Sequence, residues 1–343
     1  MSTENGRVSR SNGDFRAAWW LPGPHAQTVW GRLVRPRRMV AFERERLETP
    51  DGDEILLDHA AGPAGAPRLL VLHGLEGSSN SVYVQGLLAE AARRGMRGTA
   101  LNFRSCARDP NDLSRMLPNR RPRLYHSGET GDLDFVVRML ASREPGTKLA
   151  AVGVSLGGNV LLKWLGENPG QTAVAAAAAL STPFDLADSA AHLETFVGGL
   201  YVGHFLGTLK EKARATAARF PEAASRIDLP RVLAARTFWQ FDDAATAPLH
   251  GFAGADDYYR RSSSVGYVAR IATPTLCLSA EDDPFLSPRA IRSARAAASP
   301  AVEFHATRRG GHIGFVGGAA PWLPHYWAEG FAADWLGRRL ARP

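Results

Sequence analysis

The sequence predicts an α/β fold: a mostly parallel central sheet flanked by helices, with a helical segment inserted after the sixth strand. Three observations carry that expectation. Short apolar runs alternate with amphipathic helical stretches from about residue 68 to residue 180 and resume after residue 270, the pattern of a sheet covered on both faces. Leu149 to Val154 reads as a buried strand that stops on a serine and passes at once into a helical pattern. Between Phe184 and Arg270 the alternation breaks down, no buried strand is legible and helices dominate.

The elements follow in order. Residues 1–16 are polar and are expected to form a mobile tail; the aromatic stretch from Ala17 to Trp30 is too apolar to leave in water and should pack on the body. Val40 to Glu48 and Glu54 to Ala60 flank the turn sequence Thr49-Pro50-Asp51-Gly52-Asp53, which predicts a leading antiparallel hairpin. Arg68 to Leu72 is a short buried strand opening into His73-Gly74-Leu75-Glu76-Gly77-Ser78-Ser79. A helix over Ser81 to Arg94, a strand over Arg97 to Arg104 and a helix marked by Leu133, Val136, Val137 and Leu140 come next. The serine strand is followed by a helix that stops near Asn168-Pro169-Gly170, and Thr172 to Leu180, Thr275 to Leu278 and Ala301 to Ala306 complete the strands.

The first part of the core therefore spans 17–183, a helical cap 184–270 and the last part of the core 271–343. In the insertion, Leu193, Phe196, Val197, Leu200, Tyr201 and Phe205 form one amphipathic stripe, with Gly199, Gly203 and Gly207 spaced by four. Small residues at that spacing suggest a helix lying tight against a neighbour. The alternative is a mobile lid, and an insertion of this size after a sheet strand is expected to cover the site.

Composition bounds the partners. A formal charge of +7 invites a nucleic-acid reading, but the basic residues are nearly all arginine and no recognition motif accompanies them. The clusters Arg32 to Arg38 and Arg104 to Arg123 read as solvated surface, with weak peripheral attraction to anionic lipid or substrate as the lesser reading. The longest apolar block, Ala173 to Leu180, is eight residues, so no stable membrane insertion is expected. With a polar start lacking a signal core, a cytoplasmic location is the expectation. Cys106 and Cys277 read as free, buried thiols, and the absence of a Walker loop, a His-Glu-x-x-His or a dinucleotide fingerprint implies no cofactor.

The chemistry centres on Gly153-Val154-Ser155-Leu156-Gly157. A serine at the tip of a strand-to-helix turn sits in strained backbone, and neighbours two residues away collide unless they are glycine. Such a turn lifts the Ser155 hydroxyl clear of the sheet and aims the Leu156 N–H at a carbonyl under attack. The alcohol needs a base and the base an orienting acid. Working residues in these sheets lie in loops at the carboxyl ends of strands. That selects His312, in the loop Arg308-Arg309-Gly310-Gly311-His312-Ile313-Gly314, as base and either Asp282 or Asp283 as acid.

The order Ser155, acid, His312 resembles that of α/β-hydrolases. Gly23-Pro24-His25-Ala26-Gln27-Thr28, His73-Gly74-Leu75-Glu76-Gly77, Asn102-Phe103-Arg104-Ser105-Cys106, Tyr125-His126-Ser127-Gly128 and Phe241-Asp242 through Thr246-Ala247-Pro248-Leu249-His250-Gly251-Phe252 resemble the YheT-type group, also called AB hydrolase 4. That group includes animal lipases of the ABHD1/2/3 kind and yeast medium-chain ester enzymes. The resemblance covers about residues 19 to 316. It implies the α/β-hydrolase fold, Asp283 as the acid with Asp282 as runner-up, and an oxyanion hole from the N–H groups of Leu75 and Leu156. Where Ser105 stands the group usually has glycine.

The implied function is a serine carboxylic-ester hydrolase (EC 3.1.1.-), a short- or medium-chain esterase or acylglycerol lipase, working through an acyl-enzyme on a small acyl ester or lipid. An acyltransferase passing the acyl group to an alcohol on the same triad is the alternative, and a non-catalytic binding protein on a hydrolase fold is a third reading. His73 is expected to shape the oxyanion loop rather than to react. His25, His126 and His250 read as hydrogen-bonded spacers, and Trp239, Phe241 and Phe252 suit either an apolar pocket or the core of the cap.

Overall fold

The structure, a computed structural model, describes residues 15–36, 40–195 and 199–341. Nearly all of the expected tail, together with Phe196 and Val197 of the amphipathic stripe, lies outside the described residues. Phe15 already packs on the body, its ring 5.7 Å from Phe315 and 5.4 Å from Trp327.

Eight strands form one sheet: β1 (Glu43–Glu48), β2 (Glu54–Ala60), β3 (Arg68–Leu72), β4 (Arg97–Asn102), β5 (Leu149–Val154), β6 (Val174–Leu180), β7 (Thr275–Ala280) and β8 (Val302–Thr307). Their order is β1-β2-β4-β3-β5-β6-β7-β8, with β2 antiparallel to both its neighbours and every later pairing parallel. The chain steps outward from β3 to β4 and then returns past β3 to β5. The carboxyl ends of β3 and β5 therefore flank a reversal of strand order, where such sheets open a crevice.

Strand periodicity sorts the core onto two faces. Leu70, Leu72, Leu101 and Ala151 meet α3 (Gly131–Arg143) and α4 (Leu156–Glu167) through Leu133, Val136, Val160 and Leu161. Leu69, Val71, Ala100 and Val152 meet α2 (Val82–Arg93) and the last helix (Trp327–Leu340) through Val84, Leu87, Leu88, Trp335 and Leu336. No element was expected within the opening aromatic stretch, which contains helix α1 (Pro24–Val34). The short antiparallel pair Val316–Gly317 with His325–Tyr326 was likewise not expected.

Between β6 and β7 the chain is helical. It includes α5 (Leu186–Glu194), α6 (Leu200–Arg219) and five shorter α-helices, the last being Ala255–Ser262. These helices enclose their own apolar cluster, including Leu193, Val202, Leu206, Phe238, Phe241 and Leu249. The expected single stripe is divided here: α5 ends at Glu194, and α6 starts after Gly199, whose φ is +78°. The expected close approach is absent, because nothing lies within 4 Å of where a Cβ would stand on Gly203 or Gly207. Both glycines are solvent-facing.

A second correction concerns Arg104, expected on a solvated surface. It is buried, donating to Asp51 and Asp53 at 2.8 Å and to Asp132 at 2.6 Å and 2.8 Å. The physical reason is its place at the end of central strand β4, where a cation must be met by carboxylates. Ser105, one residue on, has φ +60°, a backbone that glycine adopts freely; its hydroxyl bonds to Asn119.

Candidate active site

Ser155 joins β5 to α4 with φ +53° and ψ −120°, far outside the regions that side-chain-bearing residues prefer. Its flanking glycines are sterically required. A Cβ on Gly157 would stand 2.5 Å from the His73 carbonyl oxygen and 2.6 Å from that of Leu72, and one on Gly153 would collide with the Gly157 carbonyl. The Ser155 N–H donates to Leu180 O at 2.8 Å, anchoring the turn to β6. Inside α4, the buried Asn159 amide holds Ser127 and Ser262 carbonyls and accepts from the Ser264 N–H at 2.8 Å. The motif Tyr125-His126-Ser127-Gly128 is thereby tied to the serine helix.

His312 Nε2 lies 2.9 Å from Ser155 Oγ, and its Nδ1 lies 2.9 Å and 3.1 Å from the two carboxylate oxygens of Asp283. His312 and Asp283 are both buried. Asp282 turns away and accepts from the Gly311 N–H at 2.9 Å; burial and the neighbouring Asp283 push its carboxyl pKa up. The two adjacent acids thus do different things, one facing the imidazole and one bracing its loop. Phe285 stacks on the imidazole at 4.1 Å, and its N–H donates to Asp283 at 2.8 Å.

The sequence did not disclose the part played by α1. Thr28 Oγ1 accepts from the His312 N–H at 2.9 Å and donates to Pro24 O at 2.7 Å. Gln27 is buried and clasps both polar groups of Val316, donating at 3.0 Å and accepting at 2.7 Å. Side chains on Gly311 or Gly314 would run into the Pro24 or Gln27 carbonyl. The signal was in the motif Gly23-Pro24-His25-Ala26-Gln27-Thr28, but only the folded chain puts it against a loop nearly 300 residues away.

On the other side of Ser155 runs the loop after β3. Gly74 passes so close that a Cβ there would sit 3.1 Å from the Ser155 Cβ. Leu75 and Leu156 line the same cavity as Ser155 and His312. Neither of their N–H groups donates to a protein acceptor among the described residues, which leaves two donors for an external oxygen. His73 Nδ1 lies 2.7 Å from Gly74 O and its Nε2 accepts from the Phe103 N–H at 3.1 Å; burial brings its pKa down to about 4. It is a neutral brace.

Glu76, next along, has φ +56° and receives Lys212 Nζ of α6 at 2.7 Å and Tyr125 Oη at 2.8 Å. Burial disfavours its charge, yet Lys212 and these hydrogen bonds hold its pKa below the ordinary carboxylate value. Lys212 also reaches Cys106 Sγ at 3.2 Å, where burial pushes the thiol up to about 11. Cys106 and Cys277 are free and buried.

The cavity is about 620 Å³, a size ordinary for small-molecule sites. Helices between β6 and β7 supply much of its apolar wall, including Phe205, Leu209, Phe238 and Phe241. Of the three aromatic residues singled out from the sequence, only Phe241 lines it. Trp239 is partly exposed and donates to Asp256 at 2.8 Å, while Phe252 packs on His126 and Tyr258. His126 and His250 stand ring to ring at 4.4 Å, and burial lowers their pKa values to about 3 and about 2. His25 Nδ1 meets Tyr201 Oη at 3.1 Å.

A family model described as the alpha/beta hydrolase fold matches residues 67–319. YheT of Escherichia coli (strain K12), an esterase by provisional designation, is 38% identical over 341 residues, covering 98% of this chain and 96% of its own. The phospholipase ABHD3 of Mus musculus is 30% identical over 311 residues, covering 88% of this chain and 73% of its own. The solved structure of the Pyrococcus furiosus esterase Pf2001 resembles the fold with a TM-score of 0.54 at 14% identity, over 88% of this chain and 92% of that one. By sequence and by fold, the chain belongs to the α/β-hydrolase family, in the branch that includes YheT.

Proposed function

We propose that this chain is a carboxylic-ester hydrolase in which Ser155 is the nucleophile, His312 the general base and then acid, and Asp283 the residue that fixes the imidazole. The carrying observation is the unbroken contact from Asp283 through His312 to Ser155 at the floor of a largely apolar cavity. In the first step Ser155 Oγ attacks the ester carbonyl while His312 Nε2 takes its proton, and the proton passes to the departing alcohol. Water then attacks the acyl-enzyme by the same route in reverse. The tetrahedral oxyanion sits between the N–H groups of Leu75 and Leu156; one such donor is worth about 3 kcal/mol in comparable enzymes.

The helices between β6 and β7 act as a cap that supplies the wall for the acyl chain, which favours short and medium chains. The names of the relatives, an esterase and a phospholipase, support the same class of bond. The decisive experiment is labelling with a fluorophosphonate, wild type against Ser155→Ala, followed by p-nitrophenyl esters from acetate to laurate. Labelling and hydrolysis lost only in the variant are expected; a folded wild type that neither labels nor hydrolyses refutes the reading. Running the assay with ethanol separates hydrolysis from acyl transfer to an alcohol.

A further inference from the structure

Helix α1 has two sides with different surroundings. Its inner side lines the cavity through Gln27, Thr28, Val29 and Gly31 and holds the His312 loop. Its far end exposes Leu33 (74%) and Val34 (51%). Beside it, Trp19 (79%), Trp322 (79%) and Leu323 (65%) are also exposed. Trp19 is pinned to the Gly318–Leu323 loop by its Nε1–H, which donates to Ala319 O at 3.0 Å. Packing joins the two groups: Trp20 donates to Gly318 O and meets Trp30 edge to face at 4.8 Å, and Arg35 lies over the Tyr326 ring at 3.7 Å. These are the largest exposed apolar side chains of the described residues apart from Leu233 and Trp239 on the cap. So many large apolar groups left in water on one face mark an interaction site.

Charge says with what. The described segments that build this face contain no Asp or Glu, neither from Phe15 to Pro36 nor from Phe304 to Ala328, in a chain with 34 acidic residues; the next residue, Glu329, is taken up by Arg35. They carry Arg16, Arg32 and Arg35 in the first segment and Arg308 and Arg309 in the second. Among the described residues, Arg16, Arg308 and Arg309 are exposed and make no carboxylate ion pair, while Arg35 is paired with Glu329 and Arg32 lines the cavity, 3.0 Å from His204 Nε2. Such a face repels a second copy of itself and attracts a negatively charged surface.

We propose that this face seats the protein on an anionic lipid bilayer. Tryptophan rings settle at the headgroup level, leucines reach the acyl boundary, and arginines meet phosphates. The inference rests on reading the cavity as an acyl-ester site. Seating would then bring the cavity wall formed by α1 to the membrane that holds an apolar ester.

The test is co-sedimentation with vesicles of phosphatidylcholine alone or mixed with phosphatidylglycerol. Wild-type protein should pellet with the mixed vesicles only, less so as salt rises. The double variant Trp322→Ser/Leu323→Ser, and separately Leu33→Ser, should bind more weakly, the double variant by about tenfold or more. Both should hydrolyse a water-soluble ester at the wild-type rate, which also reports that they fold. Inactive Ser155→Ala should pellet like wild type, so failure of the docking proposal and failure of the ester reading give different results. No binding to mixed vesicles, or undiminished binding by both variants, overturns the proposal. So does a lipid-free dimer that the double variant dissolves, since a second copy would then own the face.

Discussion

Asp282 and Asp283 differ by one position in sequence and by their whole role in the folded chain, and exchanging each for asparagine tests that difference. In Asp283→Asn the carboxylate 2.9 Å from His312 Nδ1 becomes an amide. An amide presenting its NH2 group there favours the tautomer with the proton on Nε2, which can no longer accept from Ser155 Oγ. The equivalent change in a serine-histidine-aspartate enzyme costs about 10⁴ in kcat. At about 1.4 kcal/mol per decade that is about 5 to 6 kcal/mol of barrier. In Asp282→Asn the side-chain oxygen still accepts from the Gly311 N–H, so only the charge assistance of one hydrogen bond is lost, about 1 kcal/mol and under tenfold in rate. The assay is kcat and kcat/KM on p-nitrophenyl butyrate, with thermal unfolding to establish that both variants fold. A folded Asp283→Asn that stays within tenfold of wild type, or an Asp282→Asn that collapses instead, refutes the assignment.

Four further expectations follow from the packing. Thr28→Val leaves the His312 N–H without its partner and should lower kcat about tenfold and stability by about 1–3 kcal/mol, read from turnover and urea unfolding; unchanged kinetics would mean that α1 does not hold the histidine loop. Lys212→Met strands the buried Glu76 carboxylate and should cost about 3–5 kcal/mol, part of it recovered by adding Glu76→Gln; a double variant no more stable than the single argues against the pair. Gly157→Ala, whose Cβ meets two backbone carbonyls, should destabilise by about 1–3 kcal/mol or more and abolish labelling. Gly203→Ala, four residues into α6 and in open space, should instead add about 0.5–1 kcal/mol, so equal effects from the two would contradict the steric account. Finally, burial depresses His73, His126 and His250 to about 4, 3 and 2. As pH falls below about 6.5 the unfolded chain takes up protons that these folded histidines refuse, so their contribution is intact above that value and lost below it. Urea midpoints should drop between about pH 7.5 and about pH 5.5 by the equivalent of about 1 kcal/mol per histidine, and a flat profile would count against neutral burial.

Much of this protein was legible in one dimension because the signals are local. Strand runs such as Arg68 to Leu72 and Leu149 to Val154 are continuous and apolar because both faces of a parallel sheet are buried, and the chain read alone gives the eight strands and the helical segment that follows β6. The turn at Ser155 is legible for steric reasons contained within five residues. The sequence reading failed where burial depends on partners far away. Arg104 sits in a cluster of arginines that looks solvated, and only the convergence of Asp51, Asp53 and Asp132 makes it a core residue. Gly199, Gly203 and Gly207 have the spacing of a close helix contact, yet one ends up as a left-handed helix start and two face water, since spacing does not say whether a neighbour is present.

The sequence by itself determined the fold class, singled out Ser155 and His312 as candidates, and narrowed the candidate acid to two adjacent residues that its own pattern could not separate. Tertiary structure decided the rest: which carboxylate faces the imidazole, that Thr28 and Gln27 of α1 clasp the histidine loop, and that Lys212 of α6 grips the loop beside Leu75. The physical reason is range. Backbone sterics and hydrophobic period act over a few residues and are written locally, whereas a hydrogen bond between residues 28 and 312 exists only once the sheet has brought the two ends of the chain together.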